Sequence, residues 1–289
     1  METVDLGTRQ KNRIALTSVI AAVFLTSFKL IVGLLTGSLG IISEALHSGL
    51  DLIAAAITMI AVRVADIPAD KEHNYGHGKV ENLSAMIETF LLVVTCFWII
   101  YEAVNRLINH HPIEVKFYSY IVIITSIIID FSRSRALYKV ARKYNSQALQ
   151  ADALHFSTDI WSSFVVLIGL VAYDFLHIGY ADSIAALMVA AIVLSISYRL
   201  GKKAFDVLID RAPTEIIDQV DRVIRNIPGV LEYHDLRVRE GGAYKFVELN
   251  IHVNKLMSIE DAHAVSENVE EEISKKIPQC KVTVHIEPD

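Results

Sequence analysis

The sequence predicts a helical membrane protein of six spans followed by a small cytoplasmic α+β domain, and three observations carry that prediction. Six apolar runs of about 20 residues occupy the first two-thirds of the chain. Lysine and arginine gather at alternate connections between those runs. After Lys203 continuous hydrophobicity gives way to alternation. Composition agrees: 53% hydrophobic residues and a mean hydropathy of +0.40 are too apolar for an ordinary soluble domain, yet 21% charged residues are too many for membrane helices alone. The charge is therefore segregated. Through Lys203 the chain holds 17 basic and 16 acidic residues, and from Ala204 onward 10 basic and 17 acidic. An acidic C-terminal part argues against nucleic acid as a partner and suits cations.

The polar start METVDLGTRQKNR precedes an apolar run with no small-residue cleavage site after it, so that run reads as the first membrane helix rather than a signal peptide. The spans are Ile14 to Leu35, Leu39 to Val62, Leu83 to Leu107, Phe117 to Tyr138, Ala151 to Tyr173 and Ala181 to Leu200. Turn signals separate them at Thr36-Gly37-Ser38, Asp66 to Gly78, His110-His111-Pro112, Tyr144-Asn145-Ser146 and His177 to Tyr180. With a cytoplasmic N-terminus, the inner connections hold 14 lysines and arginines, and the outer ones only Arg106 and Lys116. Both termini are therefore expected in the cytoplasm. The domain boundary is expected after residue 205, with 206–289 as the soluble domain.

In that domain Thr214 to Ile227 reads as a helix, with Thr214 as its cap and Pro228-Gly229 as its stop. Val230 to Arg239 and Tyr244 to Val253 alternate as strands around a Gly241-Gly242 turn. Ser258 caps an amphipathic helix to Ile277, and Lys281 to Ile286 closes as a strand. The order αββαβ suggests a small sheet with helices on one face. Two cysteines, Cys96 and Cys280, allow neither a disulfide framework nor a CxxC metal site.

The chemistry lies in SEALHSGLD (43–51) and its echo ADALHFSTD (151–159). Each sets a His and an Asp four residues apart, hence on one helix face, within an apolar span. An Asp near mid-bilayer costs roughly 2.5–3.5 kcal/mol, so such groups mark a pathway or a site. His47, Asp51, His155 and Asp159 together offer two imidazoles and two carboxylates, a tetrahedral set suited to Zn²⁺; the plain alternative is His–Asp hydrogen bonding within each helix. A third HxxxD, His285 to Asp289, falls in the polar tail and reads as accidental. Counted from the span ends, the two histidines do not sit at one depth, unless the helices tilt or the fifth begins before Gln150. Lys29, Glu44, Glu88, Glu102, Asp130 and Asp182 also lie within spans. Lys29 reads as snorkelling outward, Glu102 and Asp182 as wet helix ends, and Glu88 and Asp130 as partners of a neighbouring helix or proton relays.

Six spans, HSGLD, ADALHFSTD, PADKEHNYGHGK after the second span, DRAP after the sixth and the αββαβ tail together resemble the cation diffusion facilitators over essentially the whole chain. That resemblance implies a proton-coupled homodimeric exporter of divalent transition metals, with a metallochaperone-like cytoplasmic domain touching across the two-fold axis. It implies a transport site of His47, Asp51, His155 and Asp159, and a loop site of Asp70, His73 and His77. It implies an interface charge pair, Lys79 with Asp210, and a cytoplasmic-domain site of His234, His263, His285 and Glu287. At the second-strand position of that site the family often has His, whereas this chain has Asn250, with His252 on the same strand face. The His and Asp mixture points to zinc as substrate and regulator with protons as counter-ion; Fe²⁺, Cd²⁺, Co²⁺ and Ni²⁺ stay open, as does a non-transporting metal sensor. A metallohydrolase is disfavoured, since four protein ligands leave no open position and no HExxH is present. The short, His-poor stretch Arg142 to Leu149 resembles the bacterial and archaeal branch, which implies the inner membrane.

Overall fold

The computed structural model describes residues 2–36, 39–109, 117–176 and 181–289, without the side chains at 2–6, 36, 39–40, 43–44, 106, 109, 117–119, 166, 169–176, 181–182 and 185. The expected turns at Gly37-Ser38, His110-His111-Pro112 and His177 to Tyr180, and the expected roles of Glu44, Arg106, Lys116 and Asp182, lie outside the described residues. Contacts divide the chain into two compact units, Met1–Asp66 with Val80–Phe205, and Ile67–Lys79 with Asp206–Asp289. The connection Ile67–Lys79 thus packs with the C-terminal domain rather than with the helices that flank it in sequence.

The first unit is helical: α1 (Glu2–Thr36), α2 (Leu39–Ala65), α3 (Lys79–Asn109), α4 (Phe117–Tyr144), α5 (Gln147–Leu176) and α6 (Ala181–Leu208). Each runs 27 to 35 residues, or about 40 Å or more, against about 30 Å of hydrocarbon. Among the described residues, Gly7–Leu35, Ala45–Ala65 and Lys79–Asn105 are long and apolar enough to cross a membrane. In α4, Asp130, Arg133 and Arg135 fall close together and lower its hydropathy.

Several helices extend past their apolar spans, because backbone hydrogen bonding does not stop where hydrophobicity does. Helix α5 shows the local cause. Asn145 takes a left-handed φ of 51° that ends α4, and Ser146 then caps α5 by accepting the Leu149 N–H at 3.4 Å.

Small residues let the helices approach closely. Ala15, Ala55, Ala61, Ala141, Ala148 and Ala153 pack with Val62, Leu137, Leu149 and Phe156 in one buried cluster, and Ala85, Ala151 and Ala204 pack with Leu200 in another. A methyl at Gly201 of α6 would come within 2.8 Å of Thr89 on α3. Phe24, Ile31, Phe90, Trp98, Trp161 and Ile192 stay exposed, forming an apolar coat that suits lipid.

The C-terminal domain comprises α7 (Thr214–Ile224), β1 (Glu232–Gly241), β2 (Tyr244–Val253), α8 (Ile259–Lys276) and β3 (Cys280–Pro288). The central strand β2 pairs antiparallel with β1 and parallel with β3, with α8 as the crossover. Val247, Leu249, Ile251 and Val253 alternate onto one face and bury against Val220 and Ile224 of α7 and Val269 and Ile273 of α8. The opposite face therefore carries Asn250 and His252. Ser258 caps α8 as expected, its Oγ accepting the Asp261 N–H at 3.1 Å. Thr214 does not cap α7. The cap is Pro213, whose carbonyl accepts the N–H groups of Ile216 and Ile217 and whose side chain, having no oxygen, makes no cap bond.

Within this unit the loop Ile67–Lys79 docks on the β1–β2 hairpin. Tyr75 meets Phe246 edge-on at 5.2 Å, and the Arg239 guanidinium lies 3.8 Å over the Tyr75 ring. Gly78 abuts the turn so closely that a Cβ there would stand 2.3 Å from the Gly241 carbonyl oxygen. Gly78→Ala is accordingly expected to destabilise this docking by about 1–3 kcal/mol. Hydrogen exchange of the amides in 67–79 is the check: it should accelerate in the variant, and unchanged protection would show that the close approach does not hold the loop.

Candidate metal centre

Helices α2 and α5 run antiparallel, and their registers decide what meets. Asp51 lies 14 residues from the Ala65 end of α2, and Asp159 lies 12 residues from the Gln147 end of α5. Across the crossing His155 meets Asp51 and His47 meets Asp159, so each imidazole of one helix lies beside a carboxylate of the other. This cross-pairing, with α5 starting at Gln147, removes the expected mismatch in depth.

The four side chains converge. His155 Nε2 lies 3.0 Å from Asp51 Oδ1 and 3.7 Å from Asp159 Oδ2, and His47 Nε2 lies 3.8 Å from Asp51 Oδ1 and 3.7 Å from Asp159 Oδ1. Donors bound at about 2.0–2.1 Å around a tetrahedral ion stand about 3.3–3.4 Å apart, a separation inside the observed spread. Ligand atoms of His47, Asp51 and Asp159 all fall within 4.8 Å of one another, and His155 joins through both carboxylates. Asp159 Oδ2 is buried without a hydrogen-bond partner, as is His155 Nδ1. The donor set fits a divalent ion of zinc type: the proton shared between His155 and Asp51 is what a cation would displace.

A charged frame surrounds the four. Lys29, expected to snorkel outward, is instead 5% exposed and donates to Ser48 Oγ at 2.8 Å, because that hydroxyl offers a partner inside the bundle. Asp130 pairs with Arg133 of its own helix at 3.2 Å rather than with a neighbouring one. Arg133 also donates to Ser18 Oγ at 3.1 Å, and its guanidinium lies 3.5 Å over the Phe156 ring. Ser18 donates to Asp152 Oδ2 at 3.2 Å. Glu88 accepts from Thr58 of α2 and from Ser84. Lys11 pairs with both Asp66 and Glu81. Sequence reasoning passed over Asp152, Arg133, Ser18 and Thr58. A signal existed for the first, since Asp152, His155 and Asp159 recur at i, i+3 and i+7 on one face.

The loop triad is assembled in the second unit. Asp70 Oδ1 accepts the N–H groups of His73 at 2.6 Å and Glu72 at 2.9 Å. These bonds, the one from His73 first, hold its carboxyl below the ordinary range. His73 and His77 approach Asp70 at 3.5 and 3.7 Å. Lys79 donates to Asp210 at 2.8 Å, and both are wet enough that the pair adds little stability.

On the sheet, Glu287 collects His234 at 3.3 Å, His252 at 3.6 Å and Asn250 at 3.0 Å, with His285 at 3.7 Å. Register explains the grouping: His234, Asn250 and His285 form one cross-strand row, and His252 faces Glu287 in the next. Partial desolvation lowers the His234 pKa, but its bonds to Glu287 and Asp235 outweigh that and raise it. His263 stands apart on α8, paired with Glu267 at 3.4 Å. His252 therefore stands in the cluster and Asn250 serves as a donor to Glu287.

Comparison with known proteins matches residues 15–209 to the family model for the cation efflux transmembrane domain, and residues 212–289 to that for the cation efflux protein, cytoplasmic domain. The chain is 29% identical over 285 residues to the cation-efflux pump FieF of Cronobacter sakazakii, covering 98% of this chain and 94% of the relative. It is 30% identical over 288 residues to FieF of Citrobacter koseri, covering 97% and 93%. Among solved structures, the metal-bound C-terminal domain of the CzcD transporter from Thermotoga maritima is 32% identical over 26% of this chain and 88% of that one, with a TM-score of 0.25.

Proposed function

The chain belongs to the cation efflux family, the cation diffusion facilitators, and from that premise we propose that it exports Zn²⁺ from the cytoplasm in exchange for protons through His47, Asp51, His155 and Asp159. One observation carries the reading: two antiparallel apolar helices bring two imidazoles and two carboxylates to separations of 3.0 to 3.8 Å within the bundle. No group in that set is a spectator. Each ligand must be deprotonated to bind, so the metal displaces protons, and affinity falls as pH falls. Imidazole, with an unperturbed pKa near 6.5, carries that competition into the physiological range. Two imidazoles favour zinc over manganese; Fe²⁺, Cd²⁺, Co²⁺ and Ni²⁺ are the competitors to be ranked.

The protein acts as an inner-membrane homodimer with both termini in the cytoplasm. The Asp70–His73–His77 and His234–His252–Glu287 clusters bind further metal ions, and metal there biases the dimer toward its transporting state by binding the two states unequally. Purified protein in vesicles of set internal pH tests this. Zinc should enter with protons leaving, and competing ions should rank below zinc. Zinc entry without proton movement would remove the exchange; metal-dependent structural change without any flux would make the protein a sensor.

A further inference from the structure

Glu88 is buried carboxylate chemistry that the four-ligand site does not use. Its side chain is fully buried on α3. Oε1 accepts from the hydroxyls of Thr58 and Ser84, and Oε2 is buried with no partner. The contrast with nearby acids is chemical. Asp66 and Glu81 lie against Lys11, and Asp130 lies against Arg133. Among the described residues the hydrogen-bond partners of Glu88 are neutral hydroxyls, and the charged groups with the largest electrostatic influence on it are Asp152 and His155, both on α5. Asp152 is itself fully buried, with Oδ1 unpartnered. Ionised, Glu88 adds a negative charge, without an ion-pair partner among the described residues, to a buried region that already holds another carboxylate; protonated, it adds none. A dication arriving beside His155 reverses that balance, because its charge then dominates the local field.

We propose that Glu88 is a proton carrier of the transport cycle separate from the metal ligands, protonated while the four-ligand site holds no ion and ionised while it holds one. The inference rests on the exchange reading above. The step balances: the metal binds, the Glu88 O–H bond breaks, its electron pair stays on the carboxylate and the proton leaves to water. Departure of the metal reverses it. Glu88 is about two and a half turns of α3 from Lys79 and is not among the four ligands, so the metal site stays complete without it.

Glu88→Gln tests the charge and leaves the shape, since a glutamine Oε1 can still accept from Thr58 and Ser84. Full-length protein titrated with Zn²⁺ in weakly buffered detergent solution gives the protons released per ion bound. Wild type is expected to release about one more proton than Glu88→Gln, so that zinc affinity in the variant loses about tenfold less per unit fall in pH. Glu88→Asp should restore the difference. Equal proton release by wild type and Glu88→Gln overturns the assignment, and so does loss of zinc binding in Glu88→Gln, which would make the residue a ligand or a structural group. Zinc binding by wild type with no proton release at all overturns the exchange reading itself.

Discussion

Asp51→Ala is expected to lower zinc affinity by about 100-fold or more and to reduce vesicle flux to background. Loss of a residue that merely supports a ligand costs up to about 100-fold, and Asp51 is one of the donors. The substitution also strips His155 Nε2 of its 3.0 Å partner and removes one of the two carboxylates that approach His47. An intact elution profile and unfolding temperature would establish that the variant folds. Asp159→Ala should behave alike, because each carboxylate lies within 3.8 Å of both imidazoles. Flux within twofold of wild type in either folded variant would remove these residues from the transport site.

The second large effect falls on stability. Arg133→Met is expected to destabilise the helical unit by about 3–5 kcal/mol, because Asp130 would be left as a buried charge without its partner. Arg133 and Asp130 are each less than 10% exposed. The cost lies in the orphaned carboxylate rather than in the lost attraction, so the double variant Arg133→Met with Asp130→Leu should regain most of it. Unfolding of the detergent-solubilised protein reads both. A single variant as stable as wild type would show that Asp130 is neutralised without Arg133. Because the guanidinium also stacks on Phe156, next to His155, the single variant should lose flux before it unfolds.

Much of this protein could be read from residue order because a bilayer imposes simple rules. Hydrophobic length marks the spans, and an ionisable group within one is costly enough to signal purpose, which is how His47, Asp51, His155 and Asp159 stood out. Pairings across helices were less legible. Lys29 turned inward to Ser48, and Asp130 found Arg133 three residues along its own helix. The first outcome depends on rotation about the helix axis, which neighbours fix; the second is an i,i+3 pair whose spacing the sequence already carried. In the C-terminal domain the alternation of β2 gave its inner face, but the gathering of His234, His252 and Glu287 needed the strand register, and the isolation of His263 needed the placement of α8.

Sequence by itself determined the helical and α+β division, the apolar spans, the Ser258 cap and the two His–Asp pairs, since each follows from period, hydropathy or a local hydrogen bond. Tertiary structure alone decided that the crossing of α2 with α5 sets His155 against Asp51 and His47 against Asp159, that the loop Ile67–Lys79 packs on the hairpin, and that the Glu88 carboxylate accepts from the hydroxyls of Thr58 and Ser84. The physical reason is one of range: cost of burial is a property of a residue, whereas countercharge and coordination belong to whatever distant segments packing brings within a few ångströms.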